Sequence, residues 1–339
     1  MIGICDFWSE RMADMNPAAE RRFRNVAIAA AAAVYILIIV GGIVRTTGSG
    51  LGCPDWPLCY GRALPPPEVT AWIEFSHRFI AGLAGLLMLA TLVLAWRYYR
   101  RVRAVLIPAA LAVGLLVFQV PAGAVVVLTE LQPLIVGFHL AMAMLIFACL
   151  LVTATAAARR VSRPTRTAGG AQPGLRLAAG AAIFLLLLTG AWVVGSRAQV
   201  ACPDWPLCYG GLLPPPGAST AVRVQLIHRY MVAAVSLAVI ALIIDTFRRP
   251  RLPREVIIWT AWLGALFAMQ IMVGAMQVLF VLPTVWRVLH LAFAAGIWGV
   301  LVILESLDRL ARRPALLEAA EPAPQPGGKD ARSGAPASD

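Results

Sequence analysis

Long apolar stretches alternate with short polar segments along the whole chain. Eight runs stand out, at roughly 26–46, 72–96, 104–128, 134–158, 176–196, 222–247, 255–281 and 284–308. A helix that crosses a bilayer needs about 20 mainly apolar residues, and each run is long enough. The segments between them leave no room for a sizeable soluble domain. The pattern predicts an all-α integral membrane protein with eight transmembrane helices. The first run is itself long enough to span, and no convincing cleavage site follows it, so it reads as a retained helix rather than a signal peptide.

The polar segments repeat. Residues 53–61 read CPDWPLCYG and so do residues 202–210, an offset of 149, with proline triplets after each at Pro65–Pro67 and Pro214–Pro216. The chain has only four histidines, and His77 and His139 recur as His228 and His290 at an offset of 151. Identity over nine residues together with aligned histidines indicates an internal duplication. Each half holds four spans, and an even number returns the chain to its starting side. The halves are therefore expected as two tandem same-orientation four-helix bundles, unlike the inverted repeats of many transporters. The expected divisions are an N-terminal segment 1–25, a first bundle 26–158, a linker 159–175, a second bundle 176–308 and a disordered tail 309–339, whose last part is rich in Ala, Pro and Gly.

Composition agrees with this picture: 60% of residues are hydrophobic, 14% are charged and the mean hydropathy is +0.78. The net charge of +12 raises the question of nucleic acid, and its distribution answers it. Arginines cluster at 21–24, 97–103, 159–166, 248–254 and 309–313, on alternate connections only. That is the positive-inside pattern. It predicts cytoplasmic termini, Cys-bearing loops on the outer side, contact with anionic membrane lipid and no nucleic-acid partner.

Ionisable residues inside spans are costly and mark functional sites. The topology puts all four histidines about one to two turns below the outer end of helices running the same way. Within each half, two of them are expected to face one another from neighbouring helices. Imidazole pairs can hold a haem iron on both faces, whereas zinc usually needs more ligands than two histidines provide. No other metal site is expected, and a transporter has no use for four in-register histidines.

The outer pairs Cys53–Cys59 and Cys202–Cys208 are expected to form disulfides, either structural or redox-active. Cys5 and Cys149 read as free thiols. The halves differ at one conspicuous place: Glu74, a turn before His77, is matched by Gln225 before His228. A carboxylate can stabilise developing positive charge or handle a proton, so the chemistry is assigned to the first half and a permanent cofactor to the second. Arg78 and Arg229 follow outer histidines against the positive-inside rule. Together with Arg287 and Arg45 they are candidates for haem propionates, or for snorkelling to headgroups. Arg45, at the outer end of the first helix, is expected to serve the first half. Gln119 and Gly123 match Gln270 and Gly274 at the same offset, as helix-packing positions.

These motifs, TGSGLGCPDWPLC (47–59), EFSHR (74–78), GFHLA (137–141), CPDWPLC (202–208), IHRY (227–230) and VLHLAF (288–293), resemble those of the haem A synthase family, of the CtaA type. The resemblance extends through all eight helices. It implies an oxidoreductase of the bacterial-type cell (inner) membrane that oxidises a ring methyl of haem O to a formyl group, giving haem A for cytochrome oxidase. It implies a haem b cofactor on His228 and His290, and the substrate haem near His77 and His139 with Glu74 at the reacting centre. Haem O synthase is implied as a possible partner, beside an unidentified electron-transfer partner. Two rivals use parts of the same pattern. A diheme b-type electron-transfer protein, such as a quinol oxidoreductase, needs the histidines but not Glu74. A membrane thiol oxidoreductase needs only the cysteines.

Overall fold

The computed structural model describes residues 16–161, 173–250 and 252–319. Eight helices fill these segments: α1 (Pro17–Thr46), α2 (Val69–Tyr99), α3 (Arg103–Leu128), α4 (Pro133–Val161), α5 (Pro173–Gly195), α6 (Thr220–Phe247), α7 (Arg254–Leu279) and α8 (Thr284–Ala319). All eight are long and apolar enough to cross a membrane. Among the described residues, extended pairing is limited to the isolated bridges Cys59–Arg62 and Cys208–Gly211.

Two helices run well beyond the apolar stretches that announced them. Helix α1 begins at Pro17, where proline needs no hydrogen-bond partner in a first turn and the Asn16 side chain accepts from Ala18 N–H at 2.9 Å. Helix α8 continues to Ala319, past the point at which a tail was expected to begin. The segment after the last span carries good helix formers (Leu, Ala, Arg, Glu), which a hydropathy reading does not register. Cys5, Arg163, Arg166, and residues 320–339 of the expected tail lie outside the described residues.

Within the first half α1 packs on α2, α2 on α3, α3 on α4 and α4 on α1, which closes a ring; α5–α8 close a second ring in the same order. The rings meet where α1 and α4 lie against α5 and α8, through α4–α8, α1–α8 and α4–α5 contacts. Small residues make this close approach possible. A β-carbon on Gly42 would lie 2.7 Å from Leu291, and one on Gly299 3.0 Å from Phe147. Two hydrogen bonds cross the same seam, from Tyr35 Oη to the Ala292 carbonyl and from Trp298 Nε1 to the Met144 carbonyl, both 3.0 Å. At the end remote from the Cys loops, buried Arg176 of α5 pairs with Asp308 and Glu305 of α8.

Candidate functional site

The helix register gives the histidines matched stations. His77 and His228 each stand eight residues past the first residue of their helix, Val69 and Thr220; His139 and His290 each stand six past Pro133 and Thr284. At 1.5 Å per residue all four lie about 9–12 Å below their helix starts. The expectation that neighbouring helices carry each pair is not met. In each ring α2 and α4, or α6 and α8, occupy the diagonal. An up-and-down ring of four places alternate helices across the bundle core, and that core is a usual place for a cofactor. All four side chains are half-buried.

Each ring is seated on a glycine of the preceding helix. A β-carbon at Gly41, Gly123 or Gly274 would lie 3.2 Å from Cε1 of His77, His139 or His290, and one at Gly190 would lie 3.4 Å from Cε1 of His228. Gly123 and Gly274 were noticed in the sequence as packing positions. Gly41 and Gly190 were missed, although they align at the 149 offset of the Cys loops.

The polar surroundings of the four rings differ. Gln119 donates to the His139 carbonyl at 3.1 Å and lies 3.3 Å from its Nε2. The Thr189 hydroxyl lies 2.9 Å from His228 Nδ1, a contact that the sequence reading did not foresee. Nδ1 of His77, His139 and His290 is buried with no hydrogen-bond partner among the described residues. Orphaned donors or acceptors of this kind are costly.

Glu74 is buried and has both oxygens engaged. Oε1 receives Arg78 Nη2 at 2.7 Å and Oε2 receives the Cys53 backbone N–H at 3.0 Å. Arg78 also donates to the carbonyls of Cys53, Asp55 and Leu58, each at 2.8 Å. It thus fastens the Cys loop to the helix that carries Glu74 and His77. Arg229 holds the second loop in the same way, through the carbonyls of Cys202, Pro206 and Leu207. Gln225, which replaces Glu74 there, is buried with its Oε1 unpartnered.

Both cysteine pairs are disulfide-bonded, with Cα–Cα separations of 4.6 Å for Cys53–Cys59 and 4.8 Å for Cys202–Cys208. Cys149 is a free thiol. The identical loop sequences make identical internal bonds. Asp55 accepts from Tyr60 N–H and Gly61 N–H at 2.6 and 2.7 Å, and Asp204 accepts from Tyr209 N–H and Gly210 N–H at 2.7 Å each. The N–H of Gly61 on Asp55, and of Gly210 on Asp204, lead the effects that hold these exposed carboxyls below the usual carboxylate range.

A cavity of about 530 Å³ occupies the second half and its seam with the first, and His228 and His290 both line it. Trp205 of the second Cys loop borders it, as do Gln225 and Gln270. Arg287 and Arg45 also line it, as does Arg229, and Arg287 Nη1 reaches the Thr46 carbonyl at 3.5 Å. Arg45 thus comes from the first half but faces the second, which a reading of each half alone could not show. No Asp or Glu is among the described lining residues, so none of these guanidinium groups has a carboxylate partner within the cavity wall. The space is within the range of small-molecule sites. Two imidazoles, an apolar wall and neighbouring unneutralised cations fit a haem with its two propionates.

Comparison with known proteins agrees with this chemistry. Residues 24–302 match the COX15-CtaA family, described as cytochrome oxidase assembly protein. The chain is 33% identical over 300 residues to the "Heme A synthase" of Symbiobacterium thermophilum, covering 84% of this chain and 94% of that protein. It is 31% identical over 304 residues to the protein of that name from Geobacillus kaustophilus, covering 87% and 94%. To that of Shouchella clausii it is 33% identical over 233 residues, covering 66% and 76%. Sequence match, helix count and paired histidines converge: the chain belongs to the COX15-CtaA family of cytochrome oxidase assembly proteins.

Proposed function

We propose that this protein is a haem A synthase, which oxidises a ring methyl of haem O to a formyl group to give haem A. One observation carries the assignment of sites. Two diagonal histidine pairs stand at equal depth in duplicated bundles, and only the first has a carboxylate, Glu74, one turn from a ring. His77 and His139 of the first bundle, 26–158, would hold haem O, and His228 and His290 of the second, 176–308, would hold haem b. Bound there, haem b supplies one-electron redox chemistry.

Arg45 and Arg287 would hold its propionates by charge-assisted hydrogen bonds, since both line that cavity without a carboxylate partner. Arg78 and Arg229 have the Cys-loop carbonyls as partners already, and their part is to hold the loops over the sites.

Glu74 acts as a fixed negative charge. With one oxygen on Arg78 and the other on the Cys53 N–H, its carboxylate is paired and held in one orientation. It can oppose positive charge spread over the substrate ring as the methyl carbon is oxidised, because preorganised charge in a low-dielectric site costs no reorganisation. The conversion is a four-electron oxidation in two stages, through an aldehyde hydrate that loses water. Haem b in the second half would exchange electrons with the substrate half and with an electron-transfer partner. The arginine distribution supports a bacterial-type inner-membrane orientation with both termini cytoplasmic and both Cys loops outside. The linker 159–175 and the ends 1–25 and 309–339 then lie on the cytoplasmic side. Haem O synthase is the natural donor of so apolar a substrate.

The test is pigment extraction from the purified protein supplied with haem O and an oxidant. The expected product carries the formyl group. Full haem content with no conversion would instead favour a diheme electron-transfer protein.

A further inference from the structure

The two halves offer nearly the same seat to their first histidine, but the hydrogen bond on the ring is not the same. At the 149 offset Gly41 matches Gly190, and both lie under the Cε1 edge of a histidine. The residue before each glycine is Val40 in the first half and Thr189 in the second. Thr189 Oγ1 donates to the Leu186 carbonyl at 2.8 Å, so its proton is committed. Its lone pairs are then what His228 Nδ1 meets at 2.9 Å, which makes the ring N–H the donor. That fixes the tautomer with hydrogen on Nδ1 and leaves the Nε2 lone pair for iron. His77 has no such partner, and its Nδ1 is buried and unbonded.

On the reading that the second half holds a permanent haem b, we infer that Thr189 is the positioning residue that makes His228 a non-exchanging ligand, and that Val40 leaves His77 an exchangeable one. The physical reason lies in the outer shell of the metal. A ligating imidazole whose second nitrogen donates to an oxygen is held in one orientation and is a stronger electron donor; loss of such a partner typically costs 10–100-fold in metal affinity. A cofactor site gains from that bond. A site that must release its product is better without it. His290, the other histidine of the second half, lacks an Nδ1 partner as His77 does, so His228 is the ligand at which the two halves differ in this bond.

The experiment uses the full-length protein in detergent, mixed with excess apomyoglobin, and follows transfer of the b-type haem together with its low-spin ferric EPR signal. Thr189→Val keeps the shape and removes the acceptor. It is expected to release haem b about 10-fold faster with a shifted EPR signal. Thr189→Ser, which restores the hydroxyl, is expected to behave as wild type. Release at the wild-type rate with an unchanged signal in Thr189→Val overturns the inference. Should Thr189→Val fail to fold, Val40→Thr decides: first-half haem should survive purification at higher occupancy than in wild type, and unchanged occupancy overturns the inference. His228→Ala is the control on the underlying reading. If it keeps its b-type haem, the assignment of the site has failed rather than the role of Thr189.

Discussion

Glu74 and the histidine seats show what single residues decide. A buried carboxylate bonded at both oxygens is a well-positioned charge. Glu74→Gln keeps an acceptor for the Cys53 N–H and removes the charge. Product formation is expected to fall by at least about 100-fold, the scale of a lost oxyanion-type electrostatic contribution, while haem b content stays at the wild-type level; unchanged turnover in a single-turnover assay would remove Glu74 from the chemistry. Gly274→Ala tests the seat. Its new methyl would sit 3.2 Å from His290 Cε1, and overpacking of this kind costs about 1–3 kcal/mol. The haem b to protein ratio should drop, with the first-half histidines untouched. The matched stations of the histidines, and the replacement of Glu74 by Gln225 a turn before the first of each pair, can be read from the repeat. Gly41, Gly190 and Thr189 cannot, since their meaning depends on which face of the preceding helix meets the ring.

The Cys loops are the elements that couple sequence identity to site construction. The same nine residues build the same disulfide, the same Asp turn and the same arginine clamp in both halves. Sequence reading found the disulfides. It could not see that Arg78 and Arg229 face backbone carbonyls, because the oxygens that hold them belong to a loop some twenty residues away. Arg78→Lys keeps the charge but loses the planar fork that serves several acceptors at once. Faster amide exchange at Tyr60 and Gly61 is expected, with no change at Tyr209 and Gly210; equal protection in the variant would argue against the clamp. Acid tests the same element. The Gly61 N–H and its neighbour keep Asp55 ionised below its ordinary range. The loop therefore draws stability from this carboxylate above the unfolded value of about 3.9, and loses it as pH falls through the lower folded value. Amide protection of the loop should accordingly persist through mildly acidic pH and fade only below it.

At the level of the whole molecule, the eight helices and the duplication were visible in hydropathy and repeats. The diagonal placement of the histidines and the crossing of Arg45 into the second half were not, because both depend on how two rings close and then meet. The seam is tight enough to transmit its packing to a site. Gly42→Val would push on Leu291, which a β-carbon there would approach to 2.7 Å and which follows His290 directly. The expected result is a destabilisation of about 1–3 kcal/mol with partial loss of haem b, read together by thermal melts and the absorption spectrum. Loss of stability with full haem b retention would uncouple the seam from the cofactor site.

The division of labour between the halves is the claim on which the rest depends, and pigment analysis of two single variants tests it most directly. His77→Ala and His228→Ala should be purified in parallel and their bound haems extracted and measured. Loss of the stably bound b-type pigment in His228→Ala, and its retention in His77→Ala with no formyl haem formed, is the predicted result. Loss in His77→Ala with retention in His228→Ala would contradict the account and reverse the two sites.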